Sequence, residues 1–327
     1  MKLIEVVADA GYADTVAGIA EQHQVLDIWQ APTAEDGRCA IRLLVGPENS
    51  QVVLDALQGV LAGSDTARIV LSPVEAVLPR PPEPPAPPTG RAPVAGATRE
   101  ELYEEIERGA RLDGNFLVLV VLSTVVAAVG LVKDNVAAVV GAMVIAPLLG
   151  PNLALALGTA LGDSELMWRA LRTNLAGLSL ALVCAIAMGW LWPVDLHSHE
   201  LISRTVVGMD GVVLALASGA AAVLSLTTGL PTVLVGVMVA VALLPPTATL
   251  GLLLGGGQVH LAFGAGLLLA VNVVCVNLSA KLVFLVKGIK PRTWLEKRKA
   301  RQSMTTYVVI WLVSLAILVT AIYLHAT

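Results

Sequence analysis

The segment "GAMVIAPLLGPN", residues 141–152, decides the fold because it interrupts a long apolar run with two prolines and two glycines. Lipid offers no hydrogen-bond partner to a backbone group that a broken helix leaves free. A break of this kind is tolerated at membrane depth only where it is buried in protein or lines a wet cavity. The segment therefore predicts either a solute site or a kink that serves helix packing alone.

The composition around this segment is that of a membrane protein. The chain has 327 residues, of which 56% are hydrophobic and 14% charged, with a mean hydropathy of +0.77. Soluble domains carry about a quarter charged residues. A helix that crosses a bilayer needs about 20 apolar residues. On that basis the sequence predicts seven passes, at roughly 114–132, 136–161, 169–192, 210–227, 231–254, 259–286 and 305–325.

The distribution of lysine and arginine predicts the orientation. The segment "KGIKPRTWLEKRKAR", residues 287–301, is rich in both and is expected on the cytoplasmic side. Counting passes back from it places the N-terminus in the cytoplasm and the C-terminus outside. We therefore expect a multi-pass protein of the cell inner membrane.

The broken segment has a second copy in the chain. "GAMVIAPLLGPNLALALGTALG" (141–162) aligns without a gap with "GVMVAVALLPPTATLGLLLGGG" (236–257), which puts Pro151 opposite Pro246. Each copy is the middle of three passes, and three passes return the chain in the opposite orientation. The pattern predicts a 3+3 inverted repeat with a discontinuous helix in each half, an arrangement typical of transporters.

The two breaks supply the candidate solute site. The prolines are expected to end half-helices and free backbone groups, beside which asparagine and threonine side chains could bind a small polar or anionic solute. The candidate substrate-binding residues are Pro147, Gly150, Pro151, Asn152, Asn174, Pro245, Pro246, Thr247, Thr249, Asn272 and Asn277. No Asp, Glu or Arg lies deep in a predicted pass, which argues against a carboxylate proton relay. Lys281 is expected to extend to the interface or to attract an anion.

The N-terminal residues predict a small soluble domain. Strand and helix patterns follow the order βαββαβ, the ferredoxin-like α+β arrangement, which would serve either metabolite sensing or assembly. The predicted organisation is a cytoplasmic domain (1–78), a Pro-rich linker (79–97), a juxtamembrane helix (98–113), a transmembrane core (114–286), a basic loop (287–304) and a final transmembrane helix (305–327). His197 and His199 do not share a helix face, so no metal site and no cofactor are predicted.

Several of these stretches resemble a known family. "VVGAMVIAPLLGPNLALALG", "ALASGAAAVLSL", "VALLPPTATLGLLL" and "LLLAVNVVCVNLSAKLVF" are similar in sequence and order to the uncharacterised hydrophobic domain proteins of bacteria and archaea, called domain of unknown function 389. The resemblance covers about residues 110–290 and implies a membrane location.

Together these features predict a transporter or channel-like protein for a small polar or anionic solute, regulated by its N-terminal domain. The alternative is a membrane-anchored sensor whose N-terminal domain binds a metabolite or nucleotide. The absence of HExxH, GxxxxGK[ST] and paired carboxylates in the sequence argues against an enzyme. The expected partners are the lipid bilayer, a small-molecule solute or regulatory ligand, and further copies of the chain in a homo-oligomer, but no nucleic acid polymer.

Overall fold

A computed structural model describes residues 1–79, 98–192, 196–228, 232–289, 309–320 and 322, with the side chains of 232–241 outside the description. The chain divides into two compact units, Met1–Arg99 and Glu100–Thr327, and each is described by itself. The predicted linker 79–97 and basic loop 287–304 lie almost wholly outside the described residues.

The N-terminal unit has the predicted βαββαβ order. Its elements are β1 (Lys2–Asp9), α1 (Ala13–Gln22), β2 (Asp27–Gln30), β3 (Arg38–Val45), α2 (Ser50–Leu61) and β4 (Arg68–Pro73). The strands form one antiparallel sheet in the order β2-β3-β1-β4. Alternate residues of β1, among them Ile4 and Val6, are buried in a core shared with Val16 of α1 and Leu57 of α2. This alternation is what period-two patterning produces when helices cover one face of a sheet.

The remainder of the chain is helical. Its helices are α3 (Arg99–Gly109), α4 (Gly114–Val132), α5 (Val136–Ile145), α6 (Leu149–Leu161), α7 (Ser164–Leu191), α8 (His199–Ile202), α9 (Met209–Thr227), α10 (Thr232–Gly255), α11 (Val259–Val286) and α12 (Val309–Thr320). Among the described residues, α4, α7, α9 and α11 are long and apolar enough to cross a bilayer, and the bent pair α5–α6 would make a fifth span. The protein is therefore a helical, multi-pass membrane protein. Seven passes remain a prediction, because α10 and α12 are described only in part.

Short polar side chains set the helix boundaries in the first half. Asp113, Asn135 and Asp163 each precede a helix and accept hydrogen bonds from its first backbone N–H groups. Such N-caps satisfy donors that have no partner inside the helix. At the other end of α6, Gly162 adopts a φ of 72°, and Gly257, two residues after the end of α10, adopts a φ of 74°. Glycine reaches this left-handed conformation without steric cost, which is why it follows helix ends.

The helix boundaries recur at a constant spacing. The first and last residues of α9 each lie 95 positions after those of α4. The bounds of α11 follow those of α7 by the same 95 positions. Gly162 and Gly257 are separated by this number too. The bounds of α4 and α7 thus recur 95 positions later at α9 and α11.

One expectation about the second half is wrong. The prolines at 245 and 246 were expected to divide their helix, yet α10 runs from Thr232 to Gly255 with both prolines inside it. In the first half the break is present, because α5 ends at Ile145 and α6 begins at Leu149 with a bend of 52°. The molecule has one bent pair and one continuous helix where the sequence predicted two breaks.

Candidate functional site

The break between α5 and α6 lies against the end of α3. Residues 146–148 connect the two helices, and Gly150 follows in the first turn of α6. A Cβ atom added at Gly150 would overlap the backbone carbonyl of Gly109, so the two backbones touch directly. A side chain at Gly150 would not fit in this contact, whereas a Cβ atom at Gly109 would lie 3.3 Å from the Gly150 Cα atom.

Three of the predicted residues meet in one hydrogen-bonded group, the amide cluster of Asn152, Asn174 and Asn277. Asn152 Oδ1 accepts from Asn174 Nδ2 and from Asn277 Nδ2, each at 3.0 Å. Asn152 Nδ2 donates to the Leu148 carbonyl at 2.9 Å. The three side chains are at most 5% exposed and join α6, α7 and α11. Buried amides that satisfy one another hold helices together in a membrane.

The amide cluster keeps one group available. Asn277 Oδ1 is buried and has no hydrogen-bond partner within the described part of the chain. Asn152, by contrast, is satisfied by its neighbours. Its removal would take away the acceptor that the Asn174 and Asn277 amides share and leave Asn277 Nδ2 with its bond to the Val273 carbonyl. A loss of transport in Asn152→Ala would therefore report on helix packing as well as on solute binding.

The second group of predicted residues, around Pro246 and Asn272, satisfies one of the carbonyls that the prolines of α10 set free. Pro246 has no N–H, so the carbonyl of Ala242, four residues earlier, loses its helical donor. Asn272 Nδ2 of α11 donates to that carbonyl at 2.8 Å and replaces the missing bond. A freed carbonyl with an outside donor does not force the helix to end.

The residues that follow the aligned prolines make the same local bond. Thr247 Oγ1 donates to the Leu243 carbonyl at 2.7 Å, as Asn152 Nδ2 donates to the Leu148 carbonyl. Both bonds reach four residues back along the helix. Thr249 is also buried, and its Oγ1 has no partner among the described residues.

A cavity of about 390 Å³, which we call the open cavity, reaches Pro246 and Asn272. It is lined by residues of α8, α9, α10, α11 and their connections, including Glu200, Arg204, Asp210, Ser218, Pro246 and Asn272. Asn272 and Pro246 lie near the middle of their helices, whereas Asp210 lies in the first turn of α9. The cavity therefore extends from the helix ends towards the helix centres.

The charged residues of the open cavity were not among the predicted site residues. Arg204 Nη1 lies 2.8 Å from Glu200 Oε2, and both side chains are less than 20% exposed. The Glu200 backbone N–H donates to Asp134 at 2.7 Å, which fixes α8 to the α4–α5 connection. The signal available in the sequence was the cluster of charges between the predicted third and fourth passes. Within the described residues, no three His, Cys, Asp or Glu side chains converge to hold a metal ion.

Lys281 does not extend to the interface as expected. Its side chain is 0% exposed, and its Nζ lies 4.6 Å from the centre of the Trp311 ring. Trp311 belongs to α12. The sequence of α11 alone does not indicate that α12 packs against Lys281. An ammonium over an indole face is a favourable cation–π contact.

The helix α3 makes polar contacts with the start of α7. Tyr103 OH donates to Asp163 Oδ2 at 2.8 Å, and Arg169 Nη1 lies 2.5 Å from Glu107 Oε1. Thr173 Oγ1 donates to the carbonyl of Ala110 at 2.9 Å. Burial raises the pKa of Tyr103 above its usual value, and the hydrogen bond to the Asp163 carboxylate raises it further. These contacts attach α3 to the break and to the following helix.

Comparison with known proteins identifies the family. Residues 143–278 match the family model described as domain of unknown function, DUF389. The chain is also 33% identical over 297 residues to an uncharacterized protein of Methanocaldococcus jannaschii, which covers 90% of this chain and 91% of that relative. The chain belongs to the DUF389 family. All of the candidate site residues fall inside the DUF389 match. No solved structure matches the chain.

Proposed function

We propose that the protein transports a small polar solute through the helical bundle and that its N-terminal domain regulates this transport. The observation that carries the proposal is the open cavity of about 390 Å³, which joins charged residues near helix ends to Asn272 and Pro246 in the middle of α11 and α10. Pockets that bind small molecules have volumes of about 300–1,000 Å³ and a few placed polar groups.

The charges of the open cavity indicate the class of solute. Glu200 and Arg204 neutralise each other as an ion pair, which leaves the exposed carboxylate of Asp210 as the net charge. A cavity of negative sign attracts cations and repels anions. We therefore narrow the sequence prediction, which included anions, to a neutral polar solute or one that carries an ammonium group.

The repeated pattern supports transport over a static binding site. Helix boundaries that return after 95 residues, with three passes in each set, are the pattern expected of two halves with inverted topology. In transporters built this way, the solute site lies between the halves, and access alternates between the two sides of the membrane. We accordingly propose the inverted 3+3 repeat and the seven passes as the architecture of this protein.

Regulation by the N-terminal domain is supported by α3. This helix follows the N-terminal unit in the chain and contacts Gly150, Asp163 and Arg169 around the break. A ligand that changes the position of α3 would change the break directly. The same contacts suit the alternative function, a membrane sensor without transport, in which α3 passes a signal from a metabolite-binding domain.

We further propose a location in the cell inner membrane, with the N-terminus in the cytoplasm, the C-terminus outside and a homo-oligomeric assembly. The arginine- and lysine-rich segment 287–301 supports this orientation. We propose that the protein is not an enzyme, because its sequence contains no HExxH or GxxxxGK[ST] motif and no paired carboxylates.

Uptake by reconstituted vesicles tests the proposal. The purified full chain in proteoliposomes is offered radiolabelled neutral amino acids, diamines, sugars and monocarboxylates. We expect uptake of at least one neutral or cationic solute above that of empty vesicles, and a fall of fivefold or more in Asp210→Asn. Glu104→Gln is the control, since Glu104 is an exposed carboxylate outside the cavity.

The result separates the candidate functions. Uptake that is equal in Asp210→Asn and the control would contradict a role for the open cavity. No uptake of any probe, together with a ligand that stabilises the chain only when residues 1–78 are present, would favour the sensor.

A further inference from the structure

The first half of the molecule contains a closed counterpart of the open cavity. Position n of the first half corresponds to position n + 95 of the second, as the bounds of α4 and α9 and of α7 and α11 require. Five residues that line the open cavity are Ser218, Ala242, Pro246, Leu268 and Asn272. Their counterparts, which we call the closed site, are Ser123, Pro147, Pro151, Thr173 and Gly177.

Four of the five residues of the closed site, Ser123, Pro151, Thr173 and Gly177, are buried, and the fifth, Pro147, is half-buried. Ser123 is 0% exposed and Thr173 is 1% exposed, whereas Ser218 of the second half is half-buried at the wall of the cavity. The ring of Phe116 lies against Gly177, since a Cβ atom there would come within 2.9 Å of the Phe116 Cζ atom. Thr173 Oγ1 is engaged by the Ala110 carbonyl at the end of α3.

Two glycines account for the closure. Gly109 and Gly150 touch backbone to backbone, and their counterparts in the second half are Arg204 and Pro245. A guanidinium side chain and a proline ring cannot approach as closely as two glycine backbones. Arg204 therefore stands at the wall of an open space, while Gly109 closes the equivalent space.

We propose that the end of α3 is the gate of a second solute cavity at the closed site, and that this cavity opens when Gly109 and Ala110 leave Gly150 and Thr173. The inference rests on the proposed function and deepens it, because it names the element that controls access from the side opposite the open cavity. The Thr173 hydroxyl lies 2.9 Å from the Ala110 carbonyl and 3.1 Å from the Arg169 carbonyl of its own helix. An admitted solute would offer a hydroxyl or carbonyl oxygen in place of the Ala110 carbonyl.

The open and closed states of two equivalent positions can be measured by thiol alkylation. Ser123→Cys and Ser218→Cys are made separately in the full chain after replacement of Cys39, Cys184 and Cys275. Each purified protein reacts with N-ethylmaleimide in detergent, where both ends of the bundle meet solvent. We expect Ser218→Cys to react at least tenfold faster than Ser123→Cys, because only the former lines a cavity.

Displacement of α3 should then open the closed site selectively. Gly150→Ala places a methyl group against the Gly109 carbonyl, and we expect the Ser123→Cys rate to rise at least tenfold while the Ser218→Cys rate stays within twofold. Gly141→Ala is the matched control, since nothing lies within 4 Å of its added Cβ atom. If Gly150→Ala does not fold, Thr173→Ala serves instead, because it removes the donor to Ala110.

The outcome does not depend on knowing the solute. An unchanged Ser123→Cys rate in the folded Gly150→Ala and Thr173→Ala proteins overturns the gate, even if vesicles show uptake. A selective rise supports the gate, and a simultaneous absence of uptake would then contradict transport alone. A rise at both cysteines would mean general loosening of the bundle and would also overturn the gate.

Discussion

The bond between Asn272 and the Ala242 carbonyl predicts a specific coupling between α10 and α11. Asn272→Ala removes the donor that replaces the N–H missing from Pro246. A buried carbonyl left without a partner costs about 1–3 kcal/mol, whereas hydrogen bonds between membrane helices average about 0.6 kcal/mol and reach about 1.7. The open cavity touches both residues, so water can partly replace the lost donor. We therefore expect Asn272→Ala to lower the free energy of unfolding by about 1–2 kcal/mol.

The proline supplies the decisive second change. In Pro246→Ala the backbone N–H of residue 246 can donate to Ala242 again, so the carbonyl no longer depends on Asn272. The cost of Asn272→Ala in that background should fall by about 1 kcal/mol, within the range of coupling between residues in contact. Equilibrium unfolding in mixed micelles of detergent and dodecyl sulfate measures the four free energies of this cycle.

Ser279→Ala is the matched control on the same helix. Its Oγ donates to Cys275 at 2.9 Å inside α11, where the acceptor keeps its ordinary helical N–H. Its cost should be less than about 0.5 kcal/mol and independent of Pro246. The account of the continuous helix would be refuted if Asn272→Ala cost the same with and without Pro246.

Two further changes test the contacts of α3 and of the segment after α8. Tyr103→Phe removes the bond to Asp163 and should cost about 1 kcal/mol at neutral pH, since the pair is only half-buried. Because the pKa of Tyr103 is raised in the folded state, the stability that the bond provides is complete below pH about 10 and is lost as the pH rises above that value. The melting temperatures of Tyr103→Phe and wild type should therefore converge above pH 10. A difference between them that grows above pH 10 would contradict the raised pKa. The methyl group of Gly264→Ala would overlap the Thr205 carbonyl, and the change should lower the free energy of unfolding by about 1–3 kcal/mol. The nearest atom to the methyl group of Gly266→Ala is 3.7 Å away, so this change should raise the free energy of unfolding by about 0.5–1 kcal/mol. Equal melting temperatures for these two variants would refute the close contact at Gly264.

Much of the architecture was predictable because it depends on local chemistry. Apolar length located the helices from 114 to 286, and short polar residues and glycines ended them where capping requires. The βαββαβ order of the first 78 residues followed from strand alternation and helical spacing. The bend at Pro147 was also predictable, since proline removes a donor and its ring clashes with the preceding turn.

The features that the sequence did not reveal depend on contacts between distant segments. Asn272 lies 26 positions after Pro246, so the pattern of α10 alone cannot show that an amide from α11 completes it. Lys281 is covered by Trp311, 30 positions further on. The ion pair of Glu200 and Arg204 became a cavity wall only because Asp134 holds α8 beside the bundle.

Residues at positions 95 apart account for the difference between the bent pair α5–α6 and the continuous helix α10. The counterpart of Asn272 is Gly177, which has no side chain to donate, so the first half lacks the amide that supplies a donor to the Ala242 carbonyl of α10. The first half also has Pro147 where the second has Ala242. The bend of α5–α6 and the continuity of α10 therefore follow from residues that differ between these equivalent positions. A change of access that kept both helix shapes would have to come from elements outside them, and α3, with its contacts at Gly150 and Thr173, is positioned to provide it.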